Sequence, residues 1–163
     1  MNAALLMVGT LGLLAGFGAG AEELPAPYDS VEARAVWIDT GFATRHFSHS
    51  RTLNGANRGL GIEYGLREDL AFTGGRFYNS SRNWSNYAGV LWQPLSYGRW
   101  RLGAVAVAMH GYPRMRHGGW FPAVIPAASY EFERVGLNIG IVPSYRDRLH
   151  GGISLQLKFK VRN

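Results

Sequence analysis

The chain has 163 residues, a net charge of +6 and no cysteine. Its length fits one domain built around a single core. The lack of cysteine excludes thiol catalysis, disulfides and Cys-ligated metals. Arginine carries most of the positive charge, and its planar fork matches the oxygens of a phosphate group.

The first 21 residues have the pattern of a cleaved secretory signal. An apolar segment covers residues 4–15, and Ala19-Gly20-Ala21 has the small-x-small form of a signal-peptidase site. We therefore expect a signal peptide at 1–21, a short N-terminal segment at 22–32 and the main domain at 33–163. The alternative is an uncleaved membrane anchor, although the apolar run is short and Gly-rich for a helix that needs roughly 20 apolar residues. Export, together with the lack of a basic binding motif, argues against a nucleic-acid partner.

The remaining chain has strand-like runs broken by turn residues, and eight segments can be assigned. They lie at about 33–47, 59–66, 71–79, 85–96, 101–112, 121–133, 135–145 and 151–161. Eight is the smallest number of strands that closes a transmembrane barrel. The predicted fold class is therefore an all-β, eight-stranded antiparallel up-and-down transmembrane barrel.

The connections between these segments alternate in length. The tight connections lie at 67–69, at 97–99 and near Arg134. The longer connections are residues 48–58, 80–84, 113–120 and 146–150. In outer-membrane barrels the short turns and the long loops lie at opposite ends. This places His46 and the loops at 80–84 and 113–120 on one outer rim.

The last segment shows the strand pattern most clearly. Apolar residues alternate with polar ones from Ile153 to Arg162, which gives one apolar and one charged face. A barrel strand has this pattern when its outside meets lipid. A soluble sandwich gives the same alternation with the sides exchanged, so the export signal favours the outer membrane.

A polar block over residues 78–87 lies between two predicted strands. It combines hydroxyls and amides with aromatic rings, and loops of this kind on a regular scaffold often carry binding or catalysis. The segment His46-Phe47-Ser48-His49 could supply a base to it. The five histidines show no spacing that suggests a metal site, so no metal or other cofactor is expected.

Two prolines interrupt predicted strands. Pro126 and Pro143 lack the N–H that a strand ladder requires, so pairing must break locally. One interpretation is a lateral opening through which a lipid chain enters the barrel. The other is that each proline ends a strand at the rim or marks a bulge.

Several segments together resemble the PagP family of outer-membrane lipid A palmitoyltransferases. The similarity spans about residues 36–161 in the right order and includes 118–130, 136–143, Asn79-Ser80, Tyr87-Ala88-Gly89 and Trp92-Gln93-Pro94-Leu95. Where this chain has Asn79-Ser80, the enterobacterial members carry Asp-Ser. Where it has Trp92-Gln93-Pro94-Leu95, they carry Trp-Arg-Pro-Leu.

The resemblance implies a monomeric barrel whose interior holds one acyl chain. Such an enzyme moves palmitate from the sn-1 position of a glycerophospholipid donor to a lipid A acceptor, using a His, an acidic or amide residue and a Ser at the outer rim. By this resemblance, the family's Ser corresponds to Ser80 and its acidic residue corresponds to Asn79. Because an Asn cannot accept a proton as a carboxylate does, Asn79 could only orient a base or donate a hydrogen bond to an oxyanion.

The histidine does not align directly with the family's position, which falls near Asp39 or Thr40. His46 has the same strand parity as residue 40, so its side chain points to the same side, nearer the strand end. His46 is therefore the expected base, and His49 is the second candidate.

The resemblance also suggests substrate-binding residues. Arg82, Arg114 and Arg116 are candidates for holding lipid A phosphates, with solvated loop charges as the alternative. The family sets the depth of its acyl pocket with a glycine, and the aligned position here is Leu91, with Gly89 on the same face. We expect the larger side chain to limit the acyl chain to palmitate or shorter. Two rival functions are a non-enzymatic barrel for adhesion or defence and a lipid A deacylase.

Overall fold

The computed structural model describes residues 34–48, 53–146 and 148–162. Eight antiparallel strands form a closed barrel, in which each strand pairs with its neighbours in sequence and the last pairs with the first. The strands are β1 (Val36–His46), β2 (Ala56–Arg67), β3 (Leu70–Tyr78), β4 (Trp84–Tyr97), β5 (Trp100–His110), β6 (Phe121–Phe132), β7 (Val135–Val142) and β8 (Gly152–Arg162). The predicted eight-stranded up-and-down barrel is confirmed. The expected signal peptide and N-terminal segment at 1–32 lie outside the described residues.

The two ends of the barrel differ in their connections. One end, which we call the turn rim, has tight turns at residues 68–69, 98–99 and 133–134. The connections at 47–55, 79–83, 111–120 and 143–151 are long and lie at the other end, the loop rim. In the turns, Gly98 and Glu133 adopt left-handed backbone angles, with φ of 54° and 47°. The alternation of short and long connections predicted from sequence is therefore present.

The outer wall of the barrel is apolar. Large exposed side chains include Leu60 and Ile62 on β2, Val90 on β4, and Leu155 and Leu157 on β8. Exposed aromatic residues lie near both rims: Trp84, Trp120, Trp92, Tyr97 and Trp100. An apolar band between two aromatic girdles is the surface of a membrane barrel, so the fold is compatible with an outer-membrane protein. No helix in the described ranges is long and apolar enough to cross a bilayer.

The half of the interior near the turn rim is filled by charged and amide side chains. Lys158 is 1% exposed and lies 2.7 Å from both Glu63 and Glu131. Arg101 pairs with the other oxygen of Glu131 at 2.9 Å, and Asn138 donates to Glu63. We call these five residues the polar plug. Buried charges are tolerated when they are paired and hydrogen-bonded, as the four charged residues of the polar plug are.

The ladder between β6 and β7 is incomplete. Pairing begins at Ala127 with Gly140 and continues to Phe132 with Val135, at the turn rim. β6 extends upward to Phe121, where it pairs with β5 alone. Residues 121–126 therefore have no partner in β7, and we call this break the β6–β7 gap. Pro126 is the first residue of β6 without a partner in β7. Strand β7 ends at Val142 rather than at the predicted residue 145, since Pro143 cannot extend the ladder.

Candidate functional site

A histidine and a serine meet at the loop rim. His46 is the last residue of β1, and Ser80 lies in the connection between β3 and β4. The Nε2 atom of His46 is 2.8 Å from the Oγ atom of Ser80, which is a hydrogen-bond distance. In the neutral tautomer with the proton on Nδ1, Nε2 accepts the serine hydroxyl proton, as a general base does. The structure thus brings together the two segments that the sequence analysis considered as partners.

Neighbouring strands and loops hold both residues in place. His46 pairs with Gly152 of β8, and the N–H of Phe47 donates to the Gly151 carbonyl at 3.0 Å. The carbonyl of Ser80 accepts from the Asn54 N–H at 3.0 Å. The β1–β2 connection thereby fixes the Ser80 backbone. His49, the second candidate for the base, lies outside the described residues.

Asn79 is fully buried and uses its whole amide within the protein. Its Nδ2 donates to the Ser85 hydroxyl at 2.8 Å and to the Gly111 carbonyl at 2.9 Å. Its Oδ1 accepts the backbone N–H groups of Ser81 and Asn83 at 2.8 and 3.0 Å. Both amide protons therefore have partners within the protein, the Ser85 hydroxyl and the Gly111 carbonyl. In this geometry Asn79 shapes the loop that presents Ser80.

Ser80 lines a cavity of about 770 Å³ in the loop-rim half of the barrel. The walls are mainly apolar and include Phe42, Phe77, Tyr87, Val107 and Phe121. Edge-on contacts at 5.0 and 5.9 Å pack the ring of Phe77 against Phe42 and Tyr87. The volume lies within the roughly 300–1,000 Å³ of ligand pockets. Tyr112, from the β5–β6 loop, also lines the cavity, and burial raises the pKa of its hydroxyl, so this side chain stays neutral.

The cavity ends at the level of Leu91 and the polar plug. Leu91 is 7% exposed and lines the cavity together with Glu63 and Asn138. Gly89 lies two residues nearer the loop rim, and a Cβ added there would overlap the Ala106 carbonyl oxygen of β5. Gly89 thus permits close strand packing, while Leu91 borders the space that a ligand could fill. The charged floor beneath Leu91 is not evident from the sequence.

Basic residues surround the mouth of the cavity. Arg116, Arg148 and His150 line it together with Ser80. Arg82 and Arg114 are exposed on the neighbouring loops, and Arg82 adopts a left-handed backbone with φ of 61°. Of the three predicted phosphate-binding arginines, Arg116 therefore lies at the cavity. Arg148 and His150 are mouth residues that sequence reasoning missed, because nothing in their local pattern marks them.

The cavity also reaches the wall at the β6–β7 gap. Val124 and Pro143 line it from the two sides of the gap, although Val124 is 52% exposed on the outer wall. A residue that faces outward can border the cavity only where the wall is open. Pro126, which is exposed, lies at the lower end of this opening.

In the described ranges no group of three or more His, Asp or Glu side chains is arranged to hold a metal ion. No protein-family model matches the chain, and no curated protein matches its sequence.

Proposed function

We propose that the protein is an outer-membrane acyltransferase that moves a palmitoyl-like chain from a glycerophospholipid to lipid A. The observation that carries this proposal is the His46–Ser80 hydrogen bond at the mouth of an apolar cavity. The apolar outer wall supports the membrane location, and the cavity provides a place for one acyl chain. In this closed barrel every strand is paired on both sides over at least part of its length, which is consistent with a monomer.

The chemistry starts at the ester bond of the donor. Ser80 Oγ attacks the ester carbonyl carbon while His46 Nε2 takes the hydroxyl proton. The bond to the glycerol oxygen breaks, that oxygen receives the proton from His46, and a lysophospholipid leaves. A lipid A hydroxyl then attacks the acyl-serine, again with His46 as base, and Ser80 recovers its proton. In a direct route, the lipid A hydroxyl attacks the donor ester carbonyl while His46, held by Ser80, takes its proton. The bond to the glycerol oxygen breaks, and that oxygen leaves as lysophospholipid with the proton from His46. Trapping of an acyl-serine by mass spectrometry distinguishes the two routes.

The acyl chain enters from the side of the barrel in this proposal. A phospholipid in the outer leaflet passes its chain through the β6–β7 gap between Pro126 and Pro143 into the cavity. Arg116 at the mouth meets the donor phosphate, and Arg82 and Arg114 contact phosphates from the loops above. Leu91 and the polar plug form the floor of the cavity. A longer acyl chain would press its apolar terminal methyl against paired charges, so the chain ends at this floor. The transferred chain is therefore palmitate or shorter.

The test is expression in a bacterial strain without its own palmitoyltransferase, followed by mass spectrometry of lipid A. We expect lipid A to gain one acyl chain no longer than palmitate. His46→Ala and Ser80→Ala should lower transfer by about 10²–10⁴-fold, the usual contribution of a general base. Matched controls are His117→Ala and Ser81→Ala, which remove an exposed histidine and the neighbouring serine.

The same spectra separate the alternatives. Loss of a chain would identify a lipid A deacylase. Unchanged lipid A would instead favour a barrel without enzymatic activity. A gained chain longer than palmitate would contradict the role of Leu91 and the polar plug as the floor.

A further inference from the structure

The outer wall just below Ser80 carries two arginines stacked on aromatic rings. The Arg58 guanidinium lies 5.4 Å from the centre of the Tyr78 ring, and that of Arg76 lies 4.9 Å from Trp84. The two rings contact each other edge-on at 5.6 Å. We call these four residues the stacked-arginine patch, which spans β2, β3 and β4.

Strand register places the patch near the top of the lipid-facing wall. Tyr78 pairs with Trp84 at the loop-rim end of β3 and β4, and Ser80 follows Tyr78 by two residues. Arg58 and Arg76 are both exposed. Closer to the turn rim, the same wall is apolar, with Ile62, Phe72 and Val90. The patch therefore lies where an apolar band meets the head-group region.

The chemistry of the patch fits a bound phosphate. Stacking orients the flat face of each guanidinium on a ring and leaves its N–H edges free to donate to an oxyanion. The ion pairs found in the described ranges lie in the polar plug or, for Arg67 with Asp69, at the turn rim. No carboxylate from these ranges therefore neutralises Arg58 or Arg76. An arginine facing lipid is costly at the bilayer midplane and becomes tolerable at the head-group level, where phosphates lie.

We infer that the stacked-arginine patch binds a phosphate group of the acceptor, a phosphorylated saccharolipid of the outer leaflet. The inference rests on the proposed function, because it assigns this lipid as the acceptor. The patch on β2–β4 and the β6–β7 gap are on opposite walls of the barrel. The acceptor then reaches Ser80 from the wall opposite the donor's point of access, so the two lipids do not compete for one opening.

The first test is binding, without any turnover. The purified full chain in nanodiscs of zwitterionic phospholipid is titrated with diphosphorylated lipid A and, in parallel, with chemically dephosphorylated lipid A. Arg58→Gln/Arg76→Gln should weaken binding of the phosphorylated lipid by about tenfold or more, since a charge-assisted hydrogen bond contributes about 1.5–3 kcal/mol. Arg58→Lys/Arg76→Lys keeps the charge and should retain part of the affinity.

The matched control is Arg99→Gln at the turn rim. Arg99 also stacks on an aromatic ring, with its guanidinium 4.2 Å from the centre of Phe132. This variant should bind like the unmodified chain. Equal affinity of the unmodified chain for the two lipids, or unchanged affinity in the double Gln variant, would overturn the inference.

A second readout separates this inference from the proposed function. In a transfer assay the double Gln variant should lose transfer to phosphorylated lipid A but keep transfer to an acceptor without phosphate, such as dephosphorylated lipid A, at the level of the unmodified chain. If the unmodified chain binds phosphorylated lipid A through the patch and transfers nothing, the phosphate site stands and the acyltransferase proposal fails. If both proteins transfer equally well, the enzyme proposal stands and the patch is not the acceptor site.

Discussion

At the scale of single residues, Asn79 is the side chain that shapes the loop presenting Ser80. Its side-chain NH₂ group donates to the Ser85 hydroxyl and to the Gly111 carbonyl, while its side-chain oxygen accepts two loop N–H groups. A carboxylate could accept the same two N–H groups and the Ser85 hydroxyl. It could donate nothing to the Gly111 carbonyl, so the hydrogen bonding of this loop requires Asn.

Asn79→Asp should therefore weaken the protein rather than improve it. A buried carbonyl without its donor, facing a carboxylate, costs about 1–3 kcal/mol of unfolding free energy. Urea unfolding in detergent, followed by tryptophan fluorescence, measures this loss, and acyl transfer should fall with it because Ser80 is the next residue. Asn83→Asp is the control, since its side chain is exposed and donates only to the Ser81 carbonyl within the loop. An Asn79→Asp variant that is as stable as the unmodified chain and more active would contradict this role for Asn79.

At the scale of strands, period-two alternation and the turn residues were sufficient to predict the barrel. All eight strands overlap their predicted segments. The alternation of apolar and polar residues is clearest on β8, whereas β5 and β6 contain apolar runs that the turn signals on either side delimit. Only part of the β6–β7 gap could be predicted from the sequence. A proline shows that a backbone N–H is missing, but it does not show whether the neighbouring strand separates. The Asn79–Gly111 bond could not be predicted, because it joins residues 32 positions apart, which the pairing of β4 with both β3 and β5 brings together.

The gap allows a direct test of lateral access. If the ladder continued beyond Ala127 and Gly140, Ile125 and Val142 would face each other. The chain has no cysteine, so Ile125→Cys/Val142→Cys introduces one pair that can form a disulfide and draw the strands together. Oxidation should abolish most acyl transfer, and reduction should restore it.

The control crosslink lies lower on the same two strands. Tyr130 and Leu137 are already paired, so Tyr130→Cys/Leu137→Cys should oxidise without affecting transfer. Non-reducing electrophoresis of the intact barrel reports crosslinking in both variants. Full activity with the upper disulfide closed would show that the acyl chain uses another route.

At the scale of the whole molecule, polarity in the turn-rim half of the barrel is inverted relative to a soluble protein. Lys158 and Glu63 are buried inside, whereas Leu155 and Leu157, beside Lys158 in sequence, are exposed outside. The sequence predicted this alternation on β8 but not the partners of Lys158. Glu63 lies 95 residues away, and only the register of a closed barrel brings the two side chains together.

A lipid bilayer around the outer wall would make the cost of an outward charge depend on depth. Leu157, in the middle of β8, and Val161, near its end, are 48% and 60% exposed on the same strand face. In phospholipid vesicles, Leu157→Arg should lower the unfolding free energy by about 2–4 kcal/mol and Val161→Arg by only about 0–1 kcal/mol, because lipid solvates a charge poorly at the midplane. Denaturant titration of refolded protein measures both values. In a barrel surrounded by water, either arginine would be solvated, and the two variants would each stay within about 0.5 kcal/mol of the unmodified protein. The difference between these two substitutions therefore reports what surrounds the outer wall.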